Sequence, residues 1–335
     1  MENNILRDSN KSQQSTKVFM IKEEPKSTLS TIWESITGLF REDDIVEAKV
    51  VEPNNSTDIK ICKCPKTKNK NYCDNIYEIL QMTKRKYNID KRSKELYQSL
   101  LEKNDFTLDI DKKNISQIKK DTNRTYSSST NFIQKDKVLE KLEKVLKAFS
   151  NYDNKIKYCQ GMNFIVAFFL YHCEEHIAFW LFICLIEEYD LRNLFYQDFP
   201  GLNLHVKRVE EILINEYPSY WAKFEQIGVK VDIFMIEWIL SLFSSLIPLD
   251  LQMDFYKGFF SQGWIFFYKM CISCILNLEG EFKLPDEVYI ALKKGKNEDI
   301  TKEEEIKNMW NNIIKKAYSI KIKTDVMNIK NNNYL

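Results

Sequence analysis

From about residue 84 onward, apolar side chains recur at three- and four-residue spacings almost without a break, and this rhythm confines the chain to helices. Segments 93–103, 138–152, 163–171, 177–194, 205–216, 219–227, 233–246, 253–278 and 303–320 all carry it. In the last of these, Ile306, Met309, Trp310, Ile313, Ile314 and Ala317 share one side. Strand-like alternation bounded by hairpin turns is absent, and glycine is scarce, with eight in 335 residues. The breakers Pro200-Gly201, Pro218, Gly228 and Pro248 fall between the periodic segments. No internal repeat is visible. The predicted fold class is all-α, with many helices.

A hydrophobic content of 44% supports a large core for these helices to share. Lys plus Arg is 49 and Asp plus Glu is 48, so the net charge is +1. A nucleic-acid-binding chain normally shows a clear basic excess, so that partner class is disfavoured and any electrostatic partner surface must be local. Five of the eight cysteines, Cys159, Cys173, Cys184, Cys271 and Cys274, lie in or beside apolar runs, where free thiols behave as small hydrophobes. With no charged and then apolar leader at the N-terminus, a reduced, cytoplasmic compartment is expected. The longest uncharged apolar stretches, 161–171 and 177–186, are about half the ~20 residues that a spanning helix needs, so no transmembrane segment is expected.

The expected division is an extension over 1–83, a helical domain over 84–320 and a tail over 321–335. The extension is rich in Asn, Ser, Thr, Lys and Asp and reads as mostly disordered. Within it, Leu29, Ile32, Trp33, Ile36, Leu39 and Phe40 mark an amphipathic helix over 28–42. Such a helix can dock on the main domain, bind a partner or lie peripherally on a membrane. Cys62, Cys64 and Cys73 lack an obvious fourth ligand, which a closed zinc site requires. The run Lys60, Lys63, Lys66, Lys68 and Lys70 could attract an anionic leaflet, but reads first as a solvated linker.

Two short motifs hold candidate chemistry. In Ile118-Lys-Lys-Asp121-Thr-Asn-Arg124-Thr125, Asp121 and Arg124 stand at i,i+3 and share a helical face, so the carboxylate can orient the guanidinium. Alone, such a pair is ordinarily a solvated surface contact. In Lys157-Tyr158-Cys159-Gln160-Gly161-Met162-Asn163, a neutral amide precedes a strongly apolar run, beside a glycine that permits close backbone approach. On a rigid element, Gln160 could orient a water molecule; by itself it reads as a helix-start amide satisfying backbone groups. His172-Cys-Glu-Glu175-His176 fits a His-x-x-Glu-His zinc pattern. It straddles two apolar helices and shows no third ligand, so no metal is expected there. His205 reads as a structural histidine.

Together, the two motifs resemble the signatures of TBC domains, the GTPase-activating proteins of Rab-type small GTPases. The intervening 142–152 is similar to that family's linking helix, and Ala178-Phe179-Trp180, Glu187-Glu188-Tyr189 with Leu191-Arg192, 238–243 and 254–260 are similar to its later helices, so the resemblance covers roughly residues 90–320. The chain departs from the pattern at several positions. Tyr126-Ser127 stands where an aromatic-Pro pair is common, Lys157 where Gly is usual and Met253 where Trp is usual; the family's opening motif is not evident near 84–101.

The resemblance implies that Arg124 would neutralise charge developing on the γ-phosphoryl group of the partner's GTP. Gln160 would orient the attacking water. Asp121 would brace Arg124, Tyr158 and Gly161 would aim Gln160, and Thr125, Met162 and Asn163 would support the motif or contact the Rab. An arginine supplied in trans is worth ~10³–10⁵ in rate. The chain would need no cofactor of its own, because GTP and Mg2+ are bound by the partner, and its role would be in vesicle trafficking at endomembranes. The alternative is a TBC-fold module that binds a GTPase or another partner as a non-catalytic scaffold.

Overall fold

Two consecutive segments, Met162–His172 and Glu175–Glu188, are apolar around most of their circumference, with polar residues only near their ends, and such helices must be surrounded by others. The remaining helices are arranged as that requirement dictates. In this computed structural model, residues 74–83, 91–102, 109–127, 132, 137–153, 155–156, 158–196, 199–293 and 303–326 are described, all within one compact unit, 57–335. The predicted helix over 28–42, the lysine run and Cys62, Cys64 and Cys73 lie outside the described residues.

The helices in chain order are α1 (Asp74–Met82), α2 (Lys91–Glu102), α3 (Asp109–Arg124), α4 (Val138–Tyr152), α5 (Met162–His172), α6 (Glu175–Glu188) and α7 (Leu191–Phe195). They continue with α8 (Pro200–Glu216), α9 (Pro218–Ile227), α10 (Val231–Ser241), α11 (Gln252–Gln262), α12 (Trp264–Ile275), α13 (Pro285–Leu292) and α14 (Glu303–Ser319). The fold is all-α, with no strand among the described residues. None of the described helices is long and apolar enough to cross a membrane.

Helix α4 is amphipathic and buries Val138, Leu142, Val145, Leu146 and Phe149 against α2, α3, α5 and α6. Helix α5 is then closed in by α3, α6 and α10, and its Phe168 stacks on Tyr256 of α11 at 4.1 Å. Helix α1, N-terminal to the periodic region, buries Ile76 and Ile79 and packs on α11, where Lys257 bridges Glu78 at 2.6 Å. Past α14, the Glu216 carboxylate accepts the Thr324 backbone N–H and hydroxyl at 2.7 and 2.6 Å and holds segment 320–326 to the end of α8.

Four details differ from the sequence reading. The rhythm over 177–194 is cut between α6 and α7, where Asp190 adopts a left-handed conformation with φ 59°. The stretch 253–278 is cut at Gly263, whose φ 62° and ψ −143° lie in a region essentially closed to side chains with a Cβ. The stretch 233–246 stops being helical at Ser241, where Leu242 and Phe243 turn left-handed at φ 46° and 60°. Pro200 and Pro218 are not gaps between helices but the first residues of α8 and α9, where a missing N–H costs nothing.

His205 is a core residue. Its ring stacks on Trp264 at 3.6 Å, and Nδ1 lies 2.7 Å from the Tyr268 hydroxyl. Arg208 donates to that same hydroxyl oxygen at 3.1 Å, so the Tyr268 oxygen links the two side chains. Burial, reinforced by the Arg208 charge, lowers the His205 pKa from 6.5 to about 3. In the folded state this histidine resists protonation, whereas the unfolded state takes up the proton below 6.5. Its contribution is therefore complete above that value and declines toward pH 3, by about 1.4 kcal/mol per pH unit. Denaturant titrations at pH 7 and pH 5 should show the wild type losing about 2 kcal/mol more than His205→Gln. Equal losses in the two proteins would contradict this assignment.

Candidate functional site

Helix α3 buries one narrow stripe. Ile118, Asp121, Thr122 and Thr125 face inward, while Lys113, Lys119, Lys120 and Asn123 face solvent. A carboxylate on a buried stripe is expensive unless every lone pair is used. Asp121 is fully enclosed, at 0% side-chain exposure, and its oxygens are occupied. Oδ1 accepts Arg124 Nη2 at 2.7 Å and Gln117 Nε2 at 3.0 Å, and Oδ2 accepts the Tyr158 hydroxyl at 2.7 Å. Arg124, one turn beyond at the C-terminus of α3, keeps 36% of its side chain exposed. The guanidinium is thus fixed by a buried charge on a side chain that still reaches the surface.

The ring of contacts continues across both motifs. Thr125 Oγ1 donates to the Asp121 carbonyl at 2.6 Å and accepts Asn163 Nδ2 at 2.8 Å. Asn163 Oδ1 accepts the Gly161 N–H at 3.0 Å and lies 3.2 Å from the Tyr158 hydroxyl, whose single proton goes to the nearer, charged Asp121. Burial raises the Tyr158 pKa well above 10, and the Asp121 charge adds to the rise, so the phenol stays a donor. Asp121, Arg124, Thr125, Tyr158, Gly161 and Asn163 therefore form one closed polar network within an apolar shell.

Gln160 sits in the turn between Tyr158 and Gly161, with its side chain half-buried. Its carbonyl is 3.5 Å from Cys159 Sγ, and its side-chain amide makes no hydrogen bond to a described residue. The backbone on either side is tied down: Met162 N–H donates to Cys159 O at 3.1 Å, and the buried Met162 places Sδ 3.4 Å from Cys159 N. The close approach expected at Gly161 is present. Its φ is 113°, and a Cβ would lie 2.5 Å from the Leu240 carbonyl oxygen of α10. Burial pushes the Cys159 thiol up from its ordinary pKa, so it is a packing group and not a nucleophile.

Beyond Arg124 the chain is tethered a second time. Tyr126 is left-handed at φ 49°, its ring meets Phe132 and Phe164 edge-on, and its hydroxyl donates to Ser244 O at 2.7 Å. Gln252, the fully buried first residue of α11, donates to the Tyr126 oxygen at 2.8 Å and to Ile247 O at 2.7 Å. On the Gln160 side, Arg192 pairs with the buried Asp153 at 2.5 Å, where the α4–α5 connection begins. None of Ser244, Gln252, Asp153 or Arg192 was a candidate from sequence. The local clues were polar residues in otherwise apolar surroundings, and their partners lie up to 126 residues away.

The His172 and His176 pattern has a packing role at the α5–α6 junction. His172 packs on Phe168 at 5.0 Å, and the buried His176 has Nδ1 3.6 Å from Glu174. Among the described residues, no group of three or more His, Cys, Asp or Glu side chains is placed to hold a metal ion.

Comparison with known proteins follows this geometry. The sequence model of the Rab-GTPase-TBC domain matches residues 69–284. The chain is 32% identical over 151 residues to the GTPase-activating protein GYP5 of Saccharomyces cerevisiae, covering 45% of this chain and 17% of that protein. It is 32% identical over 214 residues to the GYP5 protein of Eremothecium gossypii, covering 64% and 23%. It is 29% identical over 167 residues to the Rab GTPase-activating protein eat-17 of Caenorhabditis elegans, covering 50% and 19%. The match thus spans about a fifth of the length of these relatives. Among solved structures, the fold is similar to the Ypt/Rab-GAP domain of Gyp1p, with TM-score 0.57, 17% identity and coverage of 74% and 89%. It is also similar to the Chlamydomonas flagellar RabGAP TBC domain, with TM-score 0.56, 18% identity and coverage of 72% and 77%.

A test follows for the turn that carries Gln160. Gly161→Ala places a methyl group against the Leu240 backbone, which cannot move aside as a side chain could. The variant should lose more than about 1 kcal/mol in urea unfolding, because backbone strain adds to the clash. An unchanged midpoint would show that the close approach does not constrain this turn.

Proposed function

The chain belongs to the Rab-GTPase-TBC domain family, and from that membership and the site's geometry we propose that it accelerates GTP hydrolysis by a Rab-type small GTPase. The observation that carries the proposal is the buried Asp121 carboxylate, which binds Arg124 from one motif and Tyr158 from the other. It brings the partly exposed Arg124 side chain and the turn bearing Gln160 into one assembly. Phosphoryl transfer is catalysed chiefly by positioning and electrostatics, which such an assembly can supply from outside the nucleotide-binding protein.

In this reading Arg124 enters the partner's nucleotide site and compensates charge on the transferred phosphoryl oxygens. Gln160 orders the attacking water through its side-chain amide. GTP and Mg2+ belong to the partner, and the chain supplies no cofactor. Asp121 and Tyr158 act before the encounter, by removing the conformational freedom of both elements. The cellular role that follows is control of vesicle trafficking, by a cytoplasmic protein acting on GTP-loaded Rab at an endomembrane surface.

Single-turnover GTP hydrolysis across a panel of Rab proteins tests the reading. Arg124→Ala should lower the stimulated rate ~10³–10⁵-fold. Gln160→Ala should lower it by about 10²–10³-fold, as the loss of one oriented polar group does. Rates unchanged in both variants would refute the two-residue mechanism. Binding to GTP-loaded Rab without turnover on any member would favour a non-catalytic scaffold.

The surface leading to Arg124 adds a second expectation. Lys113 and Lys120 are exposed, seven residues apart on α3, and Lys120 precedes Arg124 by four, so all three share a helical side. With a net charge of only +1, this local row supplies a positive approach. KM should therefore rise with ionic strength at constant kcat, as the Debye length shortens from about 30 Å at 0.01 M to about 10 Å at 0.1 M. The Lys113→Glu/Lys120→Glu double variant should lose that salt dependence; a salt response equal to wild type would exclude steering by this row.

A further inference from the structure

The tether beyond Arg124 goes further than the two motifs. Arg124 ends α3, so its backbone is held by helix hydrogen bonds on one side only. On the other side, Thr125 is bonded back to Asp121 and across to Asn163, and Tyr126 leaves the helix in a left-handed conformation with φ 49°. That conformation is uncommon for a bulky side chain and persists only where surrounding contacts enforce it.

The contacts that enforce it come from the α10–α11 connection. The Tyr126 hydroxyl donates to Ser244 O at 2.7 Å and accepts Gln252 Nε2 at 2.8 Å. Gln252 Nε2 also lies 2.7 Å from Ile247 O and 2.9 Å from Ser244 O, so its two N–H groups are shared among three acceptors and the amide ties Tyr126 to the turn. Ser244 Oγ is in turn 2.8 Å from the Tyr256 hydroxyl, which anchors the same turn to α11. Tyr126 would remain packed against Phe132 and Phe164 without its hydroxyl. The polar clamp therefore adds direction to a ring already held by apolar contacts.

We infer that Tyr126 and Gln252 are positioning residues for Arg124: the clamp between the end of α3 and the α10–α11 turn sets the direction in which the guanidinium projects. The inference rests on the proposed GTPase-activating function for its kinetic consequence, but the clamp's mechanical effect can be read without any partner. A misplacement of about 1 Å at a catalytic group costs about 10²-fold in rate. Loss of the clamp is expected to permit a fraction of that displacement.

The test uses Tyr126→Phe in the full chain, which deletes one oxygen and keeps the ring. Stimulated kcat should fall about tenfold with KM within about twofold of wild type. In an Arg124→Ala background the same change should have no further effect, whereas a merely structural role would lower activity in both backgrounds. Gln252→Asn, which withdraws the amide by one methylene, should reproduce the kcat loss if Tyr126→Phe proves too unstable to assay. Independently of any GTPase, amide hydrogen exchange over residues 123–126 should accelerate in Tyr126→Phe while exchange in α5 stays unchanged.

Exchange equal to wild type over 123–126, or wild-type kcat in a folded variant, would overturn the clamp. If the wild-type chain stimulates no Rab, the functional reading fails, and the exchange experiment still decides whether the clamp exists.

Discussion

A single buried carboxylate organises the site. Asp121 is sealed from solvent, and an ionised group there would cost several kcal/mol if left unpaired. Its pairing with Arg124, Gln117 and Tyr158 offsets that cost and, in doing so, dictates where each partner stands. Tyr158 can reach Asp121 only if the α4–α5 connection is drawn against the end of α3. Asn163 can bond both Thr125 and Gly161 only if α5 starts where it does. Geometry that looks like two independent motifs in the chain is one electrostatic obligation in space.

That obligation is met on a rigid base. Helix α5 is apolar around most of its circumference and enclosed by α3, α4, α6 and α10, so its N-terminus has no freedom to shift without disturbing the core. Gly161 presses on the Leu240 carbonyl at a distance that no side chain would allow. The same logic holds the other flank, where Tyr126 is clamped by Gln252 and the α10–α11 turn. Close packing transmits position over long distances because it leaves few alternative arrangements. Arg124 and Gln160 inherit their placement from residues packed behind them.

The polar groups that matter least to such a partner explain the rest of the interior. His205, Tyr268 and Arg208 bond to one another between α8 and α12, where burial favours the neutral imidazole. The α5–α6 junction carries a zinc-like spacing, yet His172 and His176 are engaged in ring packing and a loose contact with Glu174. Spacing along a chain is a necessary condition for ligation, and surroundings decide the rest.

The amino-acid sequence by itself determined the helical class, the two strongly apolar segments within 161–171 and 177–186 and the two motifs with Asp121, Arg124, Tyr158, Gln160, Gly161 and Asn163. These are local properties: periodicity at 3.6 residues and side-chain chemistry are written within a few residues, whereas the Leu240 carbonyl that crowds Gly161 is not. Only the tertiary structure decided that Asp121 and Tyr158 share a hydrogen bond across 37 positions, or that Gln252 clamps Tyr126 across 126. It also decided that the rhythms over 177–194 and 253–278 break at Asp190 and Gly263, where the chain must turn to cover the core. Hydrophobic patterning specifies which face of a helix is buried but carries no information about what it is buried against. Partner identity comes from the packing of the whole chain, where each buried polar atom must find a counterpart wherever the fold has placed one.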